Sequence, residues 1–256
     1  MTELSQFAYV QTRLQARYGQ LPEAAVWRRL EGITSLPHLL QTARTTGLRP
    51  WLLNIAAHGD SHAMEKALRQ QLRQLIDEVA RWLPPPWRPA VAWCGVLPDL
   101  PALQHLLGGA ATPAWLLADE HLRPYGHDLQ ALRLQALRDS PYAPLLNGTA
   151  AGPYLAAAWA THWRRLWPAE TTAADRAVLE RLARLLDRYF ATLGADLTKD
   201  SARTRDWLEQ RLRLGFRRHP RQAAAAFYYL ALAGISLERL RGLLARLMLF
   251  PLEHAS

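Results

Sequence analysis

His58-Gly59-Asp60-Ser61-His62 is the most site-like cluster in this sequence. Two imidazoles four residues apart, with a carboxylate between them, suit a metal ion when they share one helical face. Gly59 and the Asp60-Ser61 pair signal instead a turn entering a helix, with a capping side chain at its start. Asp119-Glu120-His121, with His127-Asp128 just beyond, offers carboxylates and imidazoles for acid–base work. That work needs burial and pKa values driven apart. The flanking residues carry no signal of burial, and the segment reads as a solvated polar turn. Trp163-Arg164-Arg165 and Phe216-Arg217-Arg218-His219-Pro220-Arg221 mix cations with aromatic rings, the combination that contacts phosphates and stacks on bases. No helix-turn-helix, RNP or zinc-finger pattern accompanies them. For the second cluster, a basic loop meeting an acidic protein is favoured over nucleic acid, and a plain solvated turn is the simplest reading. Gly-x-Ser-x-Gly is absent, Leu107-Gly108-Gly109-Ala110 is too short to cradle a nucleotide, and Cys94 has no second thiol to pair with. We expect no enzyme, no metal site and no cofactor.

The elements that would position such groups are helices. Leu4 to Tyr18 places Leu4, Phe7, Gln11, Leu14 and Tyr18 on one face, and Pro22 to Leu30 gives a second, short helix. A third begins at Leu36-Pro37 and ends near Gly47. From Asp60-Ser61, apolar residues from Met64 to Leu83 hold helical period for about five turns before Pro84-Pro85-Pro86 ends the run. The middle of the chain is rich in proline, with helical patterns over Leu129–Leu137 and Tyr154–Leu166. Thr172 and Asp175 resemble a capping box ahead of the apolar stripe from Val178 to Leu193. Asp200 to Leu214 follows. The closing run from Arg221 to Phe250 carries its greasy stripe on Leu237, Leu240, Leu243, Leu244 and Leu247, with Arg239, Arg241 and Arg246 off that stripe. Pro220 stands where a first helical residue is favoured. Ala90–Cys94 is the one strand-like stretch, and one strand makes no sheet. The spacing of Trp27, Trp51, Trp82, Trp115 and Trp207 suits packing. Leu36-Pro37-x-Leu39…Trp51-Leu52-Leu53 aligns without gaps on Leu100-Pro101-x-Leu103…Trp115-Leu116-Leu117, six matches over eighteen positions. Such an echo suits a repeated helical unit.

With 256 residues, half of them hydrophobic, the chain has ample material for a core. The longest apolar runs span about a dozen residues, short of the roughly 18–20 that cross a bilayer. The opening Met1–Gln6 stretch does not read as a signal peptide. A net charge of +9, with Lys66 and Lys199 the only lysines, points to an acidic partner or to arginine-rich coding bias.

Read together, the two ends resemble the V0D/AC39 family, the stalk-to-ring couplers of V-type and A-type ATPases. Phe7-Ala8-Tyr9-Val10-Gln11-Thr12-Arg13-Leu14 is similar to that family's opening, and Trp27-x-x-Leu30 with Glu65-Lys66-Ala67-Leu68 resembles its next helices. Phe227-Tyr228-Tyr229-Leu230 with Leu237-Glu238-Arg239-Leu240-Arg241-Gly242-Leu243-Leu244 resembles its closing helix. The resemblance covers about the first 85 and the last 75 residues. It implies an all-α fold of pseudo-repeated helical domains forming a funnel, here 1–85, a divergent middle 86–170, and 171–256. It also implies a non-catalytic structural component of a rotary ATPase, linking the central stalk to the membrane rotor ring in proton or sodium transport. Such a component sits at the cytoplasmic face of the inner membrane, held through its partners. The interface candidates are Tyr9, Arg13, Arg239 and Arg241 at motif positions, with Arg217 and Arg218 in the densest basic cluster. The chain departs from the family in its middle third and at Gly234-Ile235-Ser236, where we expect a break or kink. An arginine-rich adaptor that binds nucleic acid is the alternative.

Overall fold

The computed structural model describes residues 3–56, 60–146, 155–195 and 201–249. They fold as helices joined by turns and short irregular segments, with no strand among the described residues. In chain order the helices are α1 Glu3–Tyr18, α2 Ala24–Glu31, α3 Leu36–Arg44, α4 Ser61–Trp82, α5 Arg88–Ala92 and α6 Leu100–Leu107. They continue with α7 Ala114–Leu117, α8 Gln130–Arg138, α9 Leu155–Arg165, α10 Ala173–Ala195, α11 Ser201–Arg218 and α12 Ala223–Leu249. Ala90–Cys94, the strand-like stretch, lies in α5 and the 3₁₀ turn that follows it. Phe250, the end of the closing run in the sequence, lies outside the described residues.

The chain divides into two compact units, Met1–Pro84 with Thr198–Ser256, and Pro85–Leu197. Three successive segments in the sequence thus become two units, because the last third is shared between them. Its first helix, α10, belongs with the middle of the chain. Its last two, α11 and α12, close back on α1–α4.

In the first unit α12 is the central post, packed against α1, α3, α4 and α11. A helix apolar on nearly every side is a buried helix. Ala223 to Leu230 is buried without interruption, and the burial continues through Leu232, Ile235, Leu237, Leu240 and Leu244. Each large side chain so buried contributes about 1.5–3 kcal/mol. The helix runs unbroken through Gly234-Ile235-Ser236, so the expected kink does not form. Packing of Ala233, Ile235 and Ser236 outweighs the weak local preference of one glycine. A Cβ at Gly234 would meet nothing within 4 Å. Gly234→Ala is therefore expected to stabilise the first unit by about 1 kcal/mol, read as a rise in urea midpoint. A lower midpoint would show that the helix needs the glycine.

Pro220 does not start this helix. Arg218 ends α11, and Arg221 turns the chain with φ 59° while its N–H donates to Gln11 Oε1 of α1 at 3.0 Å. The two helices then close tightly. A Cβ at Gly215 would stand 2.2 Å from the ring of Tyr228, and Phe216 stacks on Tyr18 of α1 with ring centroids 4.5 Å apart.

The second unit is built from shorter helices. Trp93 and Trp159 exchange hydrogen bonds, each indole N–H donating to the other's carbonyl at 3.1 Å. Trp159, Trp163 and Trp167 form a ladder of rings along α9. Arg164 ties α9 to Glu180 and Asp187 of α10. Thr172 caps α10 as its sequence suggests, its hydroxyl oxygen accepting from the Asp175 N–H at 3.1 Å. The two halves of the sequence echo each fold as a helix with proline in its first turn, followed by a short helical turn. Leu39 and Leu103 are buried, as are Leu52 and Leu116, while Leu53 and Leu117 are exposed.

Candidate functional site

The clusters singled out from sequence take structural roles first. Asp60 caps α4, its Oδ1 accepting from the His62 N–H at 3.3 Å. His58 and Gly59 lie outside the described residues. Among the described residues no three His, Cys, Asp or Glu side chains are grouped to hold a metal ion. Asp119 is buried rather than solvated, and its Oδ1 fixes the turn by accepting from the His121 N–H at 3.0 Å. Two residues distant in sequence then join His121. The Tyr142 hydroxyl lies 2.8 Å from His121 Nε2 and donates to Oδ2 of the fully buried Asp99, also at 2.8 Å. This Asp–Tyr–His line holds the 119–125 turn against the segment before α6, and gives Asp99 the partner that a buried carboxylate requires.

Arg133, which carries no motif in the sequence, is the hub of that unit. It is buried, and its guanidinium donates to the carbonyls of Leu106 at 3.1 Å and Ala110 at 2.7 Å. Further bonds reach the His127 carbonyl, Gln130 Oε1 and Thr112 Oγ1. Cys94 is buried among apolar neighbours, and burial pushes its thiol up to about 12 against a small opposing effect of the backbone. A thiol that stays neutral is a poor nucleophile. Iodoacetamide is expected to leave the native chain unlabelled at neutral pH and to label it fully in denaturant. Fast native labelling would contradict the burial.

The aromatic members of the basic clusters are core residues. Trp163 and Phe216 are both buried, so neither ring is available to stack on a base. The arginine flank of α12 is largely used within the first unit. Arg239 donates through Nε to Glu31 Oε1 at 2.8 Å, sits 5.0 Å over the Trp27 ring and reaches Asp206 at 3.7 Å. Its side chain is only 14% exposed. Arg246 donates to the carbonyls of Glu31 and Ile33, and the half-exposed Arg241 pairs with Glu65 at 3.3 Å. Arg239 and Arg246 are therefore staples that hold α12 to the end of α2.

Four arginines at or near the C-terminal end of α11 behave differently. Arg211, Arg217, Arg218 and Arg221 are exposed, and no carboxylate among the described residues pairs with any of them. Leu214, 37% exposed, sits within this face. Neighbouring α2 adds the exposed Arg28 and Arg29, which pair with no carboxylate among the described residues. That helix is held beside α11 by the bond from Arg213 to the Pro22 carbonyl, and by Arg239 spanning Glu31 and Asp206. The whole surplus of charge belongs to this unit, which has 21 arginines and lysines against 12 carboxylates, whereas the other has ten of each. On α1, Arg13 lies over Tyr9 at 4.9 Å and Trp82 at 5.4 Å, leaving Tyr9 46% exposed.

No helix among the described residues is long and apolar enough to cross a membrane. Comparison with protein-family models, with curated proteins and with solved structures finds no match.

Proposed function

We propose that this chain is a non-catalytic docking protein whose first unit binds an acidic partner through the arginine end of α11. The observation that carries the reading is the cluster of Arg211, Arg217, Arg218 and Arg221, exposed and unpaired while the arginines of α12 are tied to the chain's own carboxylates and carbonyls. Unpaired charge on a rigid helix steers an oppositely charged surface and fixes its register. The exposed Tyr9–Arg13 pair supplies a second contact point on α1.

The specific assembly we propose rests on the sequence resemblance: the coupling component of a rotary V/A-type ATPase, with pseudo-repeated helical domains forming a funnel between the central stalk and the membrane rotor ring. Contact with the membrane then runs through those partners. Affinity capture of the tagged chain from its native membranes tests this directly. Rotor-ring and central-stalk proteins should be recovered, and recovery should fall with salt as screened surface charges require. Recovery of nucleic acid in their place, with a steep salt slope, would support the adaptor reading through phosphate contacts alone. The burial of Phe216 and Trp163 disfavours that reading, because it removes the base-stacking platforms.

A further inference from the structure

The first unit holds a cleft of about 410 Å³ between the end of α1, the Gly47 loop, the turn at Trp51, one face of α4 and Tyr229 of α12. That volume falls within the usual range for small-ligand sites. One wall is backbone against backbone at Gly47, so its shape is set by the fold. Trp51 and Tyr229 are buried deep in the cleft, while Gln20, Gln74 and Arg81 stand at its exposed rim.

Apart from the Arg17–Glu78 ion pair, the polar side chains lining it make no bond to one another. Tyr229 is 4% exposed, yet its hydroxyl makes no hydrogen bond to any described residue. Burial pushes this phenol up to about 12, Arg17 opposing and Glu78 adding to the rise, so it remains a proton donor at neutral pH. Arg17 gives Nη2 alone to both oxygens of Glu78, at 2.7 and 2.9 Å, which leaves Nε and Nη1 for another acceptor. Arg81 has no partner among the described residues, nor have the carboxamides of Gln20, Gln71 and Gln74. A carboxamide presents a donor beside an acceptor, the pairing that matches the edge of a heteroaromatic base. A tryptophan wall suits a planar ring, and a free guanidinium suits a phosphate.

We propose that this cleft binds a nucleoside monophosphate, with the phosphate at Arg81 and the spare N–H groups of Arg17, and the base beside Trp51 among the glutamines. The site is separate from the arginine face of α11 and does not depend on the docking role. The test is isothermal titration of the full chain with AMP, GMP, CMP and UMP, and with adenosine and ribose 5-phosphate as arms lacking phosphate or base. At least one nucleotide should bind, and both truncated arms should bind about tenfold more weakly or worse. Arg81→Ala should weaken the nucleotide about tenfold and leave adenosine unchanged. Tyr229→Phe should weaken the nucleotide about fivefold without lowering Tm, because the hydroxyl bonds to none of the described residues. Absence of binding by all four nucleotides at millimolar concentration would overturn the assignment. So would ribose 5-phosphate binding as tightly as the nucleotides, or an unchanged affinity in Arg81→Ala.

Discussion

Arg133→Leu is expected to destabilise the second unit by about 3–5 kcal/mol. The guanidinium is buried, and it satisfies the carbonyls of Leu106, Ala110 and His127 together with Thr112 Oγ1. Each buried acceptor left without a donor costs about 1–3 kcal/mol, and leucine supplies none. The segments that would lose their anchor are the end of α6, the loop after it and the start of α8. Arg133→Lys tests the cause. It keeps the positive charge but not the planar fork, and is expected to recover less than half of the loss. Urea unfolding gives the magnitude, and hydrogen exchange over 100–138 gives its location. A loss below about 1 kcal/mol in the leucine variant would mean that these carbonyls find other donors.

Gly47→Ala is expected to cost about 3 kcal/mol, through sterics alone. A Cβ there would stand 1.6 Å from the Gln20 carbonyl oxygen and 2.8 Å from its carbon. Both obstacles are backbone, so no side-chain rotation relieves them, and overpacking of this kind costs about 1–3 kcal/mol or more. Gly234→Ala is the matched control, since the same added methyl meets open space on a helix and should stabilise. Thermal melts of the two variants should move in opposite directions. Parallel shifts would contradict the close contact between the Gly47 loop and the end of α1.

Those two glycines also mark what a sequence can and cannot disclose. Helix positions are legible because period, caps and prolines agree: Asp60 caps α4, Thr172 caps α10, and α4 ends at the proline triplet. The continuity of α12 through Gly234 is not, because local propensity there is overruled by burial on neighbouring turns. The close approach at Gly47 depends on a loop 27 positions earlier in the chain, and no local pattern encodes it. The same holds for Arg133, whose acceptors are mostly backbone carbonyls and carry no residue-type signature. Asp99 and Tyr142 are 43 residues apart and have no motif to announce their bond.

For the candidate interface, sequence marks the right residue type but cannot tell engaged from free. Arg239 and Arg217 look alike in a helical pattern. One lies inside a network with Glu31, Asp206 and Trp27, and the other faces solvent. Removing one partner of a paired, partly buried arginine leaves a charge uncompensated, whereas unpaired exposed arginines remain available to a partner.

The proposed docking role is tested by membrane capture with wild-type chain and with the Arg211→Glu, Arg217→Glu, Arg218→Glu variant in parallel. These exposed side chains pair with no carboxylate among the described residues, so the variant should fold and melt like the wild type. Wild type is expected to recover rotor-ring and central-stalk proteins at low salt, and the charge-reversed chain neither. Equal recovery by both chains, or recovery of neither partner by wild type, would contradict it.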